Sequence, residues 1–124
     1  MQMIYTEEAP KPIGPYSQAV KYENFVFLSG QIALDPKTNE LVGTDAAEQT
    51  KIIMENIGSI LKEAGLSFNH IIKTTIYLKD LNDFEKVNQV YGSYFTEHKP
   101  ARSTVEVSRL PKGALVEIEV IAGL

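Results

Sequence analysis

The 124-residue chain contains no cysteine. That absence excludes disulfides, thiolate nucleophiles and cysteine-based metal sites together. Histidine is almost as scarce. The two present, His70 and His98, stand alone with no ligand spacing around them, so no metal is expected. No apolar run approaches the length of a membrane span. No basic start followed by an apolar stretch opens the chain, so no signal peptide is expected. Basic charge is also short. Twelve Lys and Arg stand against sixteen Asp and Glu, for a net charge of −4. The pI of 5.2 disfavours phosphate backbones and anionic membranes as partners. A cytoplasmic protein that binds neither nucleic acid nor membrane is the expectation.

Several catalytic signatures are missing too. There is no G-x-S-x-G elbow, and neither Ser29 nor Ser103 has a histidine base at a suggestive position. No Walker or dinucleotide-binding glycine pattern occurs, so nucleotide binding has no support.

What is present reads as one domain spanning residues 1–124. Apolar residues make up 44% and charged residues 23%, an ordinary globular balance. A chain this long buries roughly two-thirds of its unfolded surface. Near the N-terminus, EEAPKPIGPYSQA carries prolines at 10, 12 and 15, which exclude helix and imply a pinned, extended segment. SQAVKY and NFVFLSG read as a hairpin turning at Glu23-Asn24, and DPKTNE supplies further turn chemistry. Asp45 with Glu48 makes a capping box. Behind it, Ala46, Thr50, Ile53, Ile57, Ile60, Leu61 and Ala64 recur at helical spacing. Gly65-Leu66 has the character of a C′ glycine and its apolar contact. HIIKTTIYLKD is β-branched and reads as a central strand. A second helix is predicted from near Asn82, capped by Glu85, with Phe84, Val87, Tyr91, Tyr94 and Phe95 on its apolar face. The weak first strand is MIYT.

The order β-β-β-α-β-α-β-β places two helices against about six strands. Two helices cover one face of such a sheet. The other face is half apolar. Phe25, Phe27 and Ser29 share a side of one strand, and Ile71, Lys73, Thr75 and Tyr77 share a side of another. That composition predicts association with other copies.

The stretch RSTVEVSRLPKGALVEIEV, residues 102–120, reads as a closing hairpin turned at Pro-Lys-Gly. Strand alternation separates an apolar set (Val105, Val107, Val116, Ile118 and Val120) from a polar one. The polar set holds Arg102, Thr104, Glu106, Ser108, Glu117 and Glu119. Such a face is either solvated surface or a site. An arginine fork grips a carboxylate in bidentate fashion. A glutamate can orient and deprotonate water. Hydroxyls and a glycine N–H can complete a small pocket. The set suits a small carboxylate substrate reactive enough to need no cofactor. By pattern alone Tyr16 and Tyr91 read as packing residues and Asn88 as an exposed helical position.

IGPYSQA, FLSGQ, KTTIYLKDLNDFEKVNQVY and PARSTVEVSRLPKGALVEIEV together resemble the RidA (YjgF) family of reactive enamine/imine deaminases, over nearly the whole chain. The resemblance implies an α+β, chorismate-mutase-like two-layer domain. It also implies a homotrimer whose sheets form a central barrel, with active sites between subunits. The implied reaction hydrolyses 2-aminoacrylate, 2-iminopropanoate and 2-iminobutanoate to 2-keto acids and ammonia, without cofactor. Carried over by position, Arg102 would grip the substrate carboxylate and Glu117 would position water. Tyr16, Ser29, Gly30, Asn88 and Tyr91 would line the pocket. Thr104 stands where many relatives carry cysteine, and its backbone N–H would still donate to a carboxylate. EHKPARS is shorter than in some relatives. Two alternatives accompany this reading: an endoribonuclease or translation inhibitor, and a non-catalytic, carboxylate-binding regulatory trimer.

Overall fold

The computed structural model describes residues 1–124. Its strands are β1 (Gln2–Ile4), β2 (Ala19–Tyr22), β3 (Phe25–Gln31), β4 (Ile71–Leu78), β5 (Ala101–Glu106) and β6 (Val116–Gly123). Its helices are α1 (Ala46–Glu63) and α2 (Phe84–Gly92). The strands form one mixed sheet in the order β1-β2-β3-β6-β4-β5. Both helices pack on one face of it. Ile53, Ile57, Ile60 and Leu61 of α1 and Val87 and Tyr91 of α2 share a core with Val26, Leu28, Ile76, Leu78, Val116, Ile118 and Val120. The expected α+β layering, six strands and central β4 are all present.

Local signals act largely as read. The β2–β3 hairpin turns at Glu23, which adopts φ 54°. Asp45 caps α1 by accepting from the Glu48 N–H at 2.8 Å. Glu48 reaches back to the N–H and hydroxyl of Thr44 rather than to Asp45. The predicted reciprocal box is thus shifted by one residue. At the other end Gly65 adopts φ 77°. Leu66 N–H donates to Leu61 O at 2.8 Å and Gly65 N–H to Lys62 O at 2.9 Å, the bond pair of a Schellman cap.

The start of α2 differs from expectation. A 3₁₀ turn, Leu81–Asp83, precedes it, and Asp80 caps that turn through the Asn82 N–H at 2.9 Å. With these amides already satisfied, Glu85 makes no capping bond. The helix ends at Gly92, so Tyr94 and Phe95 lie beyond it. In β4 a register shift between Ile71 and Lys73 turns Ile71 into the core, away from Lys73, Thr75 and Tyr77.

Residues 102–120 do not form a hairpin. β5 runs parallel to β4, with Arg102 opposite Thr74, Thr104 opposite Ile76 and Glu106 opposite Leu78. β6 lies between β3 and β4, antiparallel to both. The crossover through α2 sets β5 outside β4, and segment 107–115 carries the chain back across to β4's other side. Burial explains the choice. β6 buries Val116, Ile118, Val120 and Ala122 and suits a central position. β5 carries charge and suits an edge. Consequently Val105 is 42% exposed and Val107 only half-buried, so neither builds the core as expected.

Register also decides the faces. Thr74, Ile76 and Leu78 point into the core, so their partners Arg102, Thr104 and Glu106 stand on the helix side. Glu117 pairs with Tyr77 and Glu119 with Thr75 on the open side. The single polar face expected for Arg102 and Glu117 is therefore two faces of one sheet.

Candidate active site

One cavity, of about 440 Å³, opens beside α2 and β5. Asn88 and Tyr91 lie three residues apart on one helix face and meet Arg102 there. Arg102 donates from Nη1 to Asn88 Oδ1 at 2.6 Å. Its guanidinium lies 5.2 Å from the Tyr91 ring centroid and 5.4 Å from that of Phe84. The Tyr91 hydroxyl pairs with the Thr74 hydroxyl at 2.8 Å. Burial pushes the Tyr91 phenol pKa up, while the Thr74 bond and the Arg102 charge oppose the rise. No carboxylate pairs with Arg102, since the one ion pair in the chain joins Lys86 to Asp83. The fork is positioned by aromatic faces and an amide, and its charge remains available to an anion. Lys99 supplies a second cation to the same cavity, its Nζ reaching only the Thr96 carbonyl at 3.3 Å.

A second cavity, of about 630 Å³, gathers Tyr16, Ser29, Gly30, Lys112 and Glu117. It is built on a bulge. Leu28 pairs with Val120, but the next pair is Gln31 with Ile118, leaving Ser29 and Gly30 as the irregular step. Ser29 is tied down by its hydroxyl to Ser17 O at 2.6 Å and by its N–H to Gln18 O at 2.9 Å. Glu117 lies over Gly30 so closely that a Cβ there would collide with its carboxylate. Burial raises the Glu117 pKa above the usual glutamate value, and the neighbouring Glu119 raises it further. Glu119 itself accepts from the Tyr77 hydroxyl at 3.1 Å. Tyr16 is half-exposed at the end of the proline-rich segment.

Of the eight residues singled out from sequence, Asn88, Tyr91 and Arg102 thus meet in one cavity and Tyr16, Ser29, Gly30 and Glu117 in the other. Thr104 enters neither. Its Oγ1 is buried without a partner, beside a groove lined by Leu81, Asn82, Phe84 and Glu85. Its main chain is better placed. Val107 N–H donates to Leu78 O at 2.9 Å. Amides alternate in direction along a strand, so the Thr104 N–H points to the free edge.

Three supporting residues escaped the sequence reading. Gln18, 1% exposed, exchanges bonds with Thr6 N–H at 2.7 Å and Thr6 O at 2.9 Å, and donates to Pro10 O at 2.9 Å. Asn39 holds Lys11 through its N–H at 3.0 Å and its carbonyl at 2.7 Å. Together they fix the segment that carries Tyr16. A proline-rich stretch that makes no ladder of its own needs such amide partners, which was the available signal. Thr74 is the third. A threonine inside a β-branched run gives no comparable signal.

No three side chains of His, Asp or Glu converge as a metal site would require. No helix is long and apolar enough to cross a membrane.

A six-stranded sheet with two helices on one face, an arginine without an ion-pair partner beside α2 and a half-buried glutamate facing the β3 bulge define the class as an α+β protein with two polar cavities. The family model described as Endoribonuclease L-PSP matches residues 6–124. A RutC family protein of Pyrococcus abyssi is 62% identical, over 98% of this chain and 95% of the relative. The 2-iminobutanoate/2-iminopropanoate deaminase of Mus musculus is 47% identical, over 98% of this chain and 90% of that protein. The crystal structure of E. coli TdcF with bound serine superposes with a TM-score of 0.94 at 45% identity, covering 100% of this chain and 99% of that one. The chain belongs to the RidA/YjgF family.

Proposed function

We propose that the protein is a cofactor-independent deaminase of 2-imino acids. It converts 2-iminopropanoate and 2-iminobutanoate to the 2-keto acids and ammonia, in clefts between the subunits of a cytoplasmic homotrimer. One observation carries this reading: a guanidinium without an ion-pair partner and a half-buried carboxylate occupy opposite faces of the same sheet. Neither cavity alone holds both groups. A ring of copies lets the Arg102 cavity of one subunit face the Glu117 cavity of the next. The open face supplies the apolar contact, since Met3, Val20, Phe27 and Ile121 line up in one cross-strand row. The mouse relative's name and the serine bound to the E. coli relative support a small amino- or imino-acid ligand.

In this mechanism Arg102 binds the substrate carboxylate through charge-assisted hydrogen bonds of about 1.5–3 kcal/mol each. The Thr104 N–H, at the strand edge, adds a donor. Anchoring holds the imine carbon against a water on Glu117. The water oxygen bonds to that carbon as the C=N π pair moves to nitrogen, and Glu117 takes the water proton. Glu117 returns that proton to nitrogen. Glu117 next draws the proton from the carbinolamine hydroxyl and passes it to the nitrogen, so the C–N bond breaks with its electron pair on nitrogen as the C=O forms, releasing ammonia and leaving the keto acid. A carboxylate with a raised pKa suits both accepting and returning the proton.

The test couples a serine/threonine dehydratase to the protein and follows keto-acid formation. Wild type is expected to accelerate it and Arg102→Ala to abolish the acceleration. Near-wild-type turnover by Arg102→Ala would overturn the assignment. A regulatory trimer that only binds carboxylates would leave Glu117→Ala without effect on any rate.

The ribonuclease reading has one surface in its favour, a cleft lined by Lys79, Arg109 and Lys112. No aromatic ring lines it, so a stacking platform for single-stranded RNA is missing. RNA binding that falls steeply with salt would revive that reading.

A further inference from the structure

Thr74 stands mid-way along β4, 1% exposed, directly opposite Arg102 in the parallel register. Its side chain projects toward α2, among Ile71, Ile76 and Leu78. A valine would fill the same space. The hydroxyl present instead makes one bond, to the hydroxyl of Tyr91 at 2.8 Å. Tyr91 is 5% exposed and packs against Phe95 with ring centroids 4.9 Å apart. One face of its ring lies under the Arg102 guanidinium at 5.2 Å.

The three residues close a triangle. Thr74 and Arg102 are neighbours across two strands, and Tyr91 spans both from the helix above. Arg102 is exposed, and only Asn88, Phe84 and Tyr91 restrain its guanidinium. The tilt of the Tyr91 ring therefore sets where the fork points. A phenol in an apolar core is fixed at its far end only if its hydroxyl has a partner. Here that partner is Thr74.

We propose that Thr74 is a positioning residue for the carboxylate anchor: its hydroxyl pins the Tyr91 ring, and the ring holds the Arg102 guanidinium in line with Asn88. Affinity for the substrate carboxylate then depends on a hydroxyl in the core that touches no ligand. This inference rests on the reading of Arg102 as the carboxylate anchor.

The test measures Kd for 2-oxobutanoate, a stable keto acid, by calorimetry, together with KM and kcat for the coupled imine reaction. Thr74→Val keeps the shape and removes the hydroxyl; Thr74→Ser keeps the hydroxyl. Thr74→Val is expected to raise Kd and KM roughly five- to tenfold, with kcat changed by less than about twofold. Thr74→Ser is expected to stay within about twofold of wild type. Tyr91→Phe removes the same bond from the other side and keeps the ring, so it should raise Kd to the same degree. In that background Thr74→Val should add nothing further. An unchanged Kd in Tyr91→Phe, or a full Thr74→Val effect in the Tyr91→Phe background, would overturn the proposal. So would a fall in melting temperature for Thr74→Val with Kd and KM unaltered. Failure of the underlying reading looks different: wild type itself would neither bind 2-oxobutanoate nor hydrolyse the imine.

Discussion

The carboxylate of Glu117 rests on the Cα of Gly30, with Cδ and Cγ only 3.0 and 3.2 Å from where a Cβ would lie. Gly30 sits in the β3 bulge, and the missing side chain makes room for the proposed base. Gly30→Ala would push Glu117 aside at little cost to the fold, because the obstructed atoms end a flexible side chain. The expected outcome is a kcat lowered roughly 10–100-fold with a melting temperature within a few degrees of wild type. Steady-state kinetics beside a thermal melt would check it.

Glu117 also links activity to pH. Its folded pKa is raised, first by burial and then by Glu119. Catalysis needs the ionised form, so the acid limb of kcat should lie above the ordinary glutamate range. Glu119→Gln removes the second cause and should move that limb down. Stability takes the opposite sign. Below the unfolded pKa the carboxyl is neutral in both states and contributes nothing. As pH rises through the folded pKa, ionisation costs more in the folded state, so stability falls. Glu117→Gln should therefore melt roughly 1–3 °C higher near pH 7, with the gap closing near pH 4. A pH series of melts on both proteins decides this.

The open face bears on assembly. Phe27 is 43% exposed at the centre of the row that includes Met3 and Ile121. Phe27→Glu should leave secondary structure intact, convert the proposed trimer to monomer in sedimentation, and lower imine hydrolysis at least about tenfold. A monomeric wild type with full activity would contradict the intersubunit site.

Lys99 offers a milder test. It is exposed and unpaired beside Arg102, so its effect on an anion should be screened by salt. Lys99→Ala should weaken 2-oxobutanoate binding about two- to fivefold at low ionic strength and negligibly near 1 M salt. Calorimetry at the two salt concentrations measures the difference.

The elements that read correctly from sequence are those whose information is local. The α1 stripe, its Asp45 cap and its Gly65 stop involve residues within a turn of one another. The β2–β3 hairpin is closed by a two-residue turn. The residues of the candidate site were legible through motifs whose spacing is kept along the chain. Ile71 went to the wrong face because a bulge breaks strict alternation, and no apolar pattern marks one. Thr104 was placed in the pocket by position, yet its side chain turns into a separate groove.

By itself the sequence determined the helices, the strands and the two-layer class, because propensity, caps and apolar period act over a few residues. Strand order was a tertiary decision. Whether β6 pairs with β5 or slips between β3 and β4 depends on burying its apolar side from both edges. That choice sent Arg102 and Glu117 to opposite faces, so residues that looked like one face along the chain line two separate cavities in space.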